Sequence, residues 1–304
     1  MLLWPLSAAA WPELDVHGSL GQGYVHSDGL EVFSGSEEGS ARLNEVAVNV
    51  RSLVADRVLV SGQVLSRRAG DRSEGKLRLD YLQADYSQLL TDSLGLGLRA
   101  GRVKNPFGLY NSSRDVVFSR PGITPPKAVY FDDSTVRDLL FASDGAQLYG
   151  QILGARFVQD LVIGASDGSS LEDDLEESFG DFGALGRLQV SNFRLAQWMI
   201  QDISGQGFKG GLSYLGAKLS FEPTPSETPT FPATTLDSRI FVGSLQYRAA
   251  TDVLTFEYRM NEQDTTAFGQ RDSTRSEGAY VQWERLFSTR LKTLMRYEWS
   301  VADR

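Results

Sequence analysis

Residues able to do covalent or metal chemistry are scarce in this chain. Its 304 residues include no cysteine and two histidines, His17 and His26, both in or beside one candidate strand. Disulfide staples, thiolate metal sites and cysteine nucleophiles are therefore excluded. The histidines have no Ser elbow or carboxylate dyad as an evident partner, so they build neither a zinc cage nor a nucleophile–base pair. No enzyme activity and no cofactor is expected. What the sequence supplies instead is fixed charge: 24 Arg and 6 Lys against 39 Asp and Glu, for a net charge of −9.

Seven of those carboxylates, Asp167, Glu172, Asp173, Asp174, Glu176, Glu177 and Asp181, fall in 166–183, which contains no Lys or Arg. Without them the balance moves from −9 to −2, so the acidity describes one connection and not the whole chain. It reads as a solvated acidic loop; the D-x-[DN]-x-[DN]-G spacing of a calcium loop is absent. An acidic chain has no general attraction to nucleic acid, and none is expected as a partner.

The elements that carry the remaining charges alternate with period two. In 253–261, Leu254, Phe256, Tyr258 and Met260 share one face, and Thr255, Glu257, Arg259 and Asn261 the other. In 290–301, Leu291, Met295, Tyr297, Trp299 and Val301 oppose Lys292, Arg296, Glu298 and Ser300. In 44–51, Val46, Val48 and Val50 oppose Glu45, Asn49 and Arg51, and 146–152 repeats the pattern. Each is a strand with one dry and one wet face. Mean hydropathy is only −0.24, because such faces cancel, and no window approaches the ~20 apolar residues of a spanning helix.

Short turns near 55–57, 153–154, 249–252 and 287–289 alternate with long polar connections at 27–42, 103–141, 166–183, 222–237 and 262–276. Short turns at one end and long loops at the other mark an all-β fold, an antiparallel transmembrane β-barrel of the bacterial outer-membrane porin type. Lumen-wall charges would then be Glu45, Arg51, Glu257, Arg259, Lys292, Arg296 and Glu298, and Arg99 joins them by parity. Tyr24, Tyr81, Tyr258, Trp283, Tyr297 and Trp299 suit the membrane–water interface. About thirteen strands can be laid out, an odd number where bacterial single-chain barrels close with even ones, so the chain is expected to be a fragment of a barrel of about 16. Two strands are irregular: 76–86 slips parity between Tyr81 and Leu82, as a β-bulge would, and 186–202 is apolar on both faces. Residues 1–10, apolar and ending in Ala8, Ala9 and Ala10, read as a secretory signal lacking its basic start, ahead of one barrel domain over 11–304.

One segment is unlike the rest. After Leu98, Arg99, Gly101 and Lys104, the run Asn105, Pro106, Phe107, Gly108 must leave the sheet, since proline lacks a donor and glycine permits positive φ. Gly101, Pro106, Phe107 and Gly108 form a hinge, and by analogy with porin architecture, where the third long loop folds into the lumen, 103–141 is expected to be a constriction. Arg114, Arg120 and Lys127 then have two roles open: with Arg99 and Lys104 they contact passing anions, or they pin the loop through Asp115, Asp132 or Asp133.

The stretch from Gly101 to Gly108, the Arg- and Pro-containing loop after it, and Ser143-Asp144-Gly145-Ala146-Gln147-Leu148-Tyr149-Gly150 together resemble the phosphate-selective porin O and P family over 98–152. That resemblance implies a general or anion-preferring diffusion channel, usually trimeric. The expected function is passive passage of small hydrophilic solutes or ions across a Gram-negative outer membrane. The expected partners are outer-membrane lipids and lipopolysaccharide, the permeating ions or solutes, and two further copies in a homotrimer. A surface-binding or adhesion barrel and a soluble secreted β-protein are the alternatives.

Overall fold

The structure is a computed structural model and describes residues 13–28, 36–69, 74–114, 119–131, 141–166, 186–223, 232–289 and 291–302. The expected signal at 1–10, the acidic carboxylates of 167–181, and Asp115, Asp132 and Asp133 lie outside the described residues.

Thirteen strands form one sheet in chain order: β1 (Leu14–Val25), β2 (Ser40–Ala55), β3 (Val58–Ala69), β4 (Glu74–Thr91), β5 (Leu94–Lys104), β6 (Ala142–Leu153), β7 (Phe157–Ser166), β8 (Gly186–Asp202), β9 (Gly207–Pro223), β10 (Thr234–Arg248), β11 (Asp252–Ala267), β12 (Gln270–Ser288) and β13 (Leu291–Val301). Every neighbouring pair is antiparallel. β1 and β13 each pair on one side only among the described residues, so the sheet is not closed. Short helical turns lie at Asn111–Ser113 and Lys127–Tyr130. Among the described residues no helix is long and apolar enough to cross a membrane, which says nothing of the strands.

Alternation along the strands separates two faces with inverted polarity. Leu148, Ile163, Leu212, Leu245, Phe256 and Met295 are exposed, while Glu45, Gln63, Arg67, Gln147, Thr255, Glu257 and Gln282 are buried. A water-soluble fold does the opposite with both sets. The sheet curls around residues 105–114 and 119–131. Arg120 Nη2 of that segment reaches Glu45 of β2 at 2.8 Å, and four residues on the Thr124 carbonyl accepts Arg296 Nη1 of β13 at 3.0 Å. The two ends of the sheet therefore face each other across a few residues of chain.

The strand expected to be apolar on both faces is explained by a switch along its length. In β8, Trp198 and Ile200 point outward near the short turn, whereas Leu188, Val190, Phe193 and Leu195 point inward toward the long connections. A register shift between Ser191 and Arg194, with Asn192 at φ 54°, keeps Val190 and Phe193 on the same side. Leu215, Leu219 and Phe221 of β9 and Ile240 and Val242 of β10 complete this inward apolar patch.

Two local expectations change. The parity slip in β4 is a bulge one residue earlier: Gln63 pairs with Tyr81 and Val64 with Leu79, so Asp80 and Tyr81 both face inward. Tyr81 therefore belongs to the interior, not to the interface belt, and its hydroxyl accepts from Asn49 Nδ2. The long connection expected at 262–276 is instead a hairpin, with β11 running to Ala267 and β12 starting at Gln270. Phe268 and Gly269 both have positive φ (52° and 74°), as a type I′ turn needs. Period two is invisible there because Glu262, Asp264 and Arg275 on one face and Gln263, Thr265 and Thr274 on the other are all polar.

Candidate functional site

Chain leaves the wall where proline and glycine require it. Gly101 has φ 119° and lies against β4, where a Cβ would stand 2.4 Å from the Leu82 carbonyl, and Gly108 has φ 57°. The Asn105 amide bonds to the Phe141 carbonyl at 2.8 Å and closes the base of the segment. Phe107 then turns inward, edge-on to Tyr130 at 6.4 Å, into the patch made by β8, β9 and β10. Phe107 and Val129 are fully buried. At about 1.5–3 kcal/mol each, their burial favours the segment inside the wall over out in solvent.

A single carboxylate organises the polar contacts. Glu257 Oε1 accepts the Leu109 amide at 2.9 Å and Ser244 Oγ at 2.5 Å; Oε2 accepts the Tyr130 and Tyr280 hydroxyls, both at 2.6 Å. Burial, with the Glu257 charge added, holds the Tyr130 hydroxyl well above its ordinary range, so it stays a donor. Burial raises Tyr110 as well, and its hydroxyl meets Gln246 Nε2 at 3.1 Å. Further along, Arg259 Nε donates to the Ala128 carbonyl and Glu298 accepts the Ala128 amide, both at 2.9 Å. Glu298 also pairs with Arg296 at 2.8 Å, and Lys292 with Glu284 at 3.0 Å.

The loop arginines are inside this packing. Arg114 is 1% exposed, stacks on Phe141 at 3.8 Å and donates to the Tyr130 carbonyl at 2.8 Å. Arg120 donates to the Arg114 and Ile123 carbonyls and shares Glu45 with Arg67. Lys127 opens the short helical turn. Arg51 pairs with Asp15 of β1 near the short-turn end, away from the segment.

Beside the segment, on the side of β2–β5, lies an open polar pocket that would be part of any passage. It has a volume of about 350 Å³ and lies between Pro106, Ser112 and Ser113 of the segment and Asn49, Gln63, Tyr81, Gln83, Arg99 and Lys104 of β2–β5. Both cations are backed by a carboxylate: Arg99 by Asp85 and Lys104 by Asp80, each at 2.9 Å. The cations are the more exposed partners, at 31% against 14% and 15% against 3%. The Arg99 guanidinium lies over the Tyr149 ring, 4.2 Å from its centroid, and the Tyr149 hydroxyl donates to Asp85 at 2.6 Å. Water in the passage meets positive charge with negative charge behind it. Among the described residues no three His, Cys, Asp or Glu side chains are grouped to hold a metal ion.

Of the residues proposed from sequence, the structure brings Arg99, Lys104 and Pro106 together on the passage. Glu257, Arg259, Arg296 and Glu298 hold the segment from the wall, and Arg114, Arg120 and Phe107 hold it from within. Asn49, Gln63, Gln83, Asp80 and Asp85 were not singled out, although inward parity beside Arg99 marks Asp85 and Gln83. Tyr130, Tyr280 and Ser244 carried no such signal.

No protein-family profile and no curated protein matches the chain. Solved structures do. In-vitro folded OmpT, an outer membrane protein of Vibrio cholerae, is 10% identical with a TM-score of 0.45, over 95% of this chain and 87% of that one. OmpT expressed in the outer membrane of Vibrio cholerae is 12% identical with a TM-score of 0.41, over 95% and 88%. An anion-selective porin from Comamonas acidovorans is 10% identical with a TM-score of 0.33, over 96% and 90%. Likenesses this loose carry no argument about site or activity.

Proposed function

We propose that this chain forms the wall of an outer-membrane channel through which small hydrophilic solutes and ions diffuse passively, along the passage beside β2–β5. The observation that carries this is the described part of 105–131 packed inside a wall whose exposed face is apolar, beside a polar opening. Selection in such a channel comes from the width and charge of the opening, not from bond making. Arg99 and Lys104 are displayed to the passage ahead of Asp85 and Asp80, which favours anions. In a bilayer the free edges of β1 and β13 need backbone partners, because lipid supplies none.

The test is the full-length protein in planar bilayers. Stepwise conductance is expected, with a reversal potential of anionic sign in a salt gradient. Arg99→Ala combined with Lys104→Ala uncovers Asp85 and Asp80 and moves that potential toward cations. Absence of conductance steps removes the channel; steps with an unmoved potential remove the role of these two residues.

A further inference from the structure

One patch of the outer face departs from plain apolar wall. Strands β7 to β11 leave a groove of about 340 Å³ among Leu161, Trp198, Leu212, Phe241, Tyr258 and Met260. Gly243 lies in it, and a Cβ there would meet nothing nearer than Leu212 Cδ2 at 3.9 Å, so the protein does not fill this space itself.

Cations stand directly above the groove, toward the long connections. The register sets Arg194 opposite Gly216 and Gly216 opposite Arg239, with Lys218 two residues on along β9. Alternation places all three cations on the face of Trp198, Leu212 and Phe241. Neighbouring strands are about 4.8 Å apart, so Arg194 and Arg239 flank Gly216 from both sides. Gly216 offers no side chain, and the Tyr214 hydroxyl is folded over it: a Cβ there would stand 2.6 Å from that oxygen. Arg239 is engaged by Asp264 at 2.9 Å and Glu262 at 3.9 Å, whereas Arg194 and Lys218 make no ion pair within 4 Å among the described residues, with Asp237 opposite Lys218 in the strand register.

We infer that this patch docks one acylated lipid bearing a phosphomonoester, of the lipid A type. An acyl chain lies in the groove beside Gly243, and the phosphate sits over Gly216 between Arg194, Lys218 and Arg239, with the Tyr214 hydroxyl donating to it. A phosphomonoester carries close to two negative charges at neutral pH, matching the two cations that make no such ion pair. A phosphodiester headgroup carries one and leaves the other cation unmatched. The groove below suits a chain without polar groups, since the outward polar atoms lining it are the Tyr258 hydroxyl, the Trp198 indole, which faces Gln159 Oε1 at 3.3 Å, and the Tyr214 hydroxyl, which reaches up over Gly216. This inference rests on the outer face being lipid-facing, as proposed above.

The experiment is native mass spectrometry of the full-length protein in detergent, titrated with lipid A and with its dephosphorylated form. Arg194→Ala with Lys218→Ala is compared with Gly243→Leu, which fills the groove without a backbone clash. Wild type is expected to retain lipid A about tenfold or more better than either variant and better than it retains the dephosphorylated lipid, the scale of losing charge-assisted bonds. Planar-bilayer conductance of the same preparations separates the site from the channel. Unchanged conductance with lipid A lost in both variants supports the site. Equal retention by all three proteins, or of both lipids, overturns it whether or not they conduct. Selective retention without conductance supports the site and removes the channel.

Discussion

Glu257→Ala is the substitution that most directly asks what holds the constriction in place. Four donors converge on this carboxylate, two from the segment (Leu109 amide, Tyr130 hydroxyl) and two from the wall (Ser244 and Tyr280 hydroxyls). Hydrogen bonds to a charged acceptor contribute about 1.5–3 kcal/mol each, so losing the two segment bonds weakens its seat by about 3–6 kcal/mol. The wall hydroxyls are unsatisfied as well, but they remain on their strands and do not release the segment. Each 1.4 kcal/mol is a factor of ten, so the population of displaced segment rises by about 10²- to 10⁴-fold. Displacement widens the passage, and single-channel records of Glu257→Ala should show larger, noisier steps and weaker anion preference. Glu257→Gln is the control. Its amide oxygen keeps the Leu109 and Ser244 donors, and its NH₂ can donate to the tyrosine hydroxyls, which accept as well as donate. That variant should conduct nearly as wild type does. Step size and noise unchanged in Glu257→Ala would refute the hub as the restraint and hand that role to the apolar seat of Phe107 and Val129.

Gly278 of β12 faces the segment so closely that a Cβ would stand 2.1 Å from the Ala128 carbonyl. Gly278→Val therefore leaves a good strand residue in the wall but forces the segment off it, and should reproduce the Glu257→Ala records; wild-type records would show the approach is not needed. Arg120→Met strips Glu45 of one of two buried cationic partners, Arg67 being the other. Breaking such a buried pair costs about 3–5 kcal/mol, read as a lower urea midpoint of unfolding, and a changed ion preference at unchanged stability would instead place Arg120 on the passage.

How much of this was legible beforehand follows from what each feature depends on. A strand between lipid and water must alternate, so much of β2, β6 and β13, and β11 as far as Met260, declare themselves in the sequence. The hinge was legible for the same local reason: Pro106 cannot pair and Gly108 takes a φ that other residues resist. Where both faces are polar, as beyond Met260, alternation carries no information and the long hairpin reads as loop. Where the inner face is apolar, as along Leu188 to Leu195, the strand reads as apolar on both sides, because the partner that dries it, Phe107 with Tyr130, arrives from elsewhere in the chain.

Charge on the inner face is the deepest case. Glu257 and Arg99 both fall on the inward parity of their strands, and nothing local says that one meets hydroxyls and the other meets water. Tyr130 is 127 residues from Glu257, and only the path of the segment brings them together. That path covers one half of the interior and leaves the other open, so the count of interior charges cannot report the ion preference. Only charges the segment leaves uncovered can do so. Beside the segment on β2–β5 these are Arg99 and Lys104, and because Asp85 and Asp80 stand behind them, the sign of the opening is set by which member of each pair faces the water. A wall with the same residues in the same pairs, but with the carboxylates in front, would have the same composition and the opposite preference.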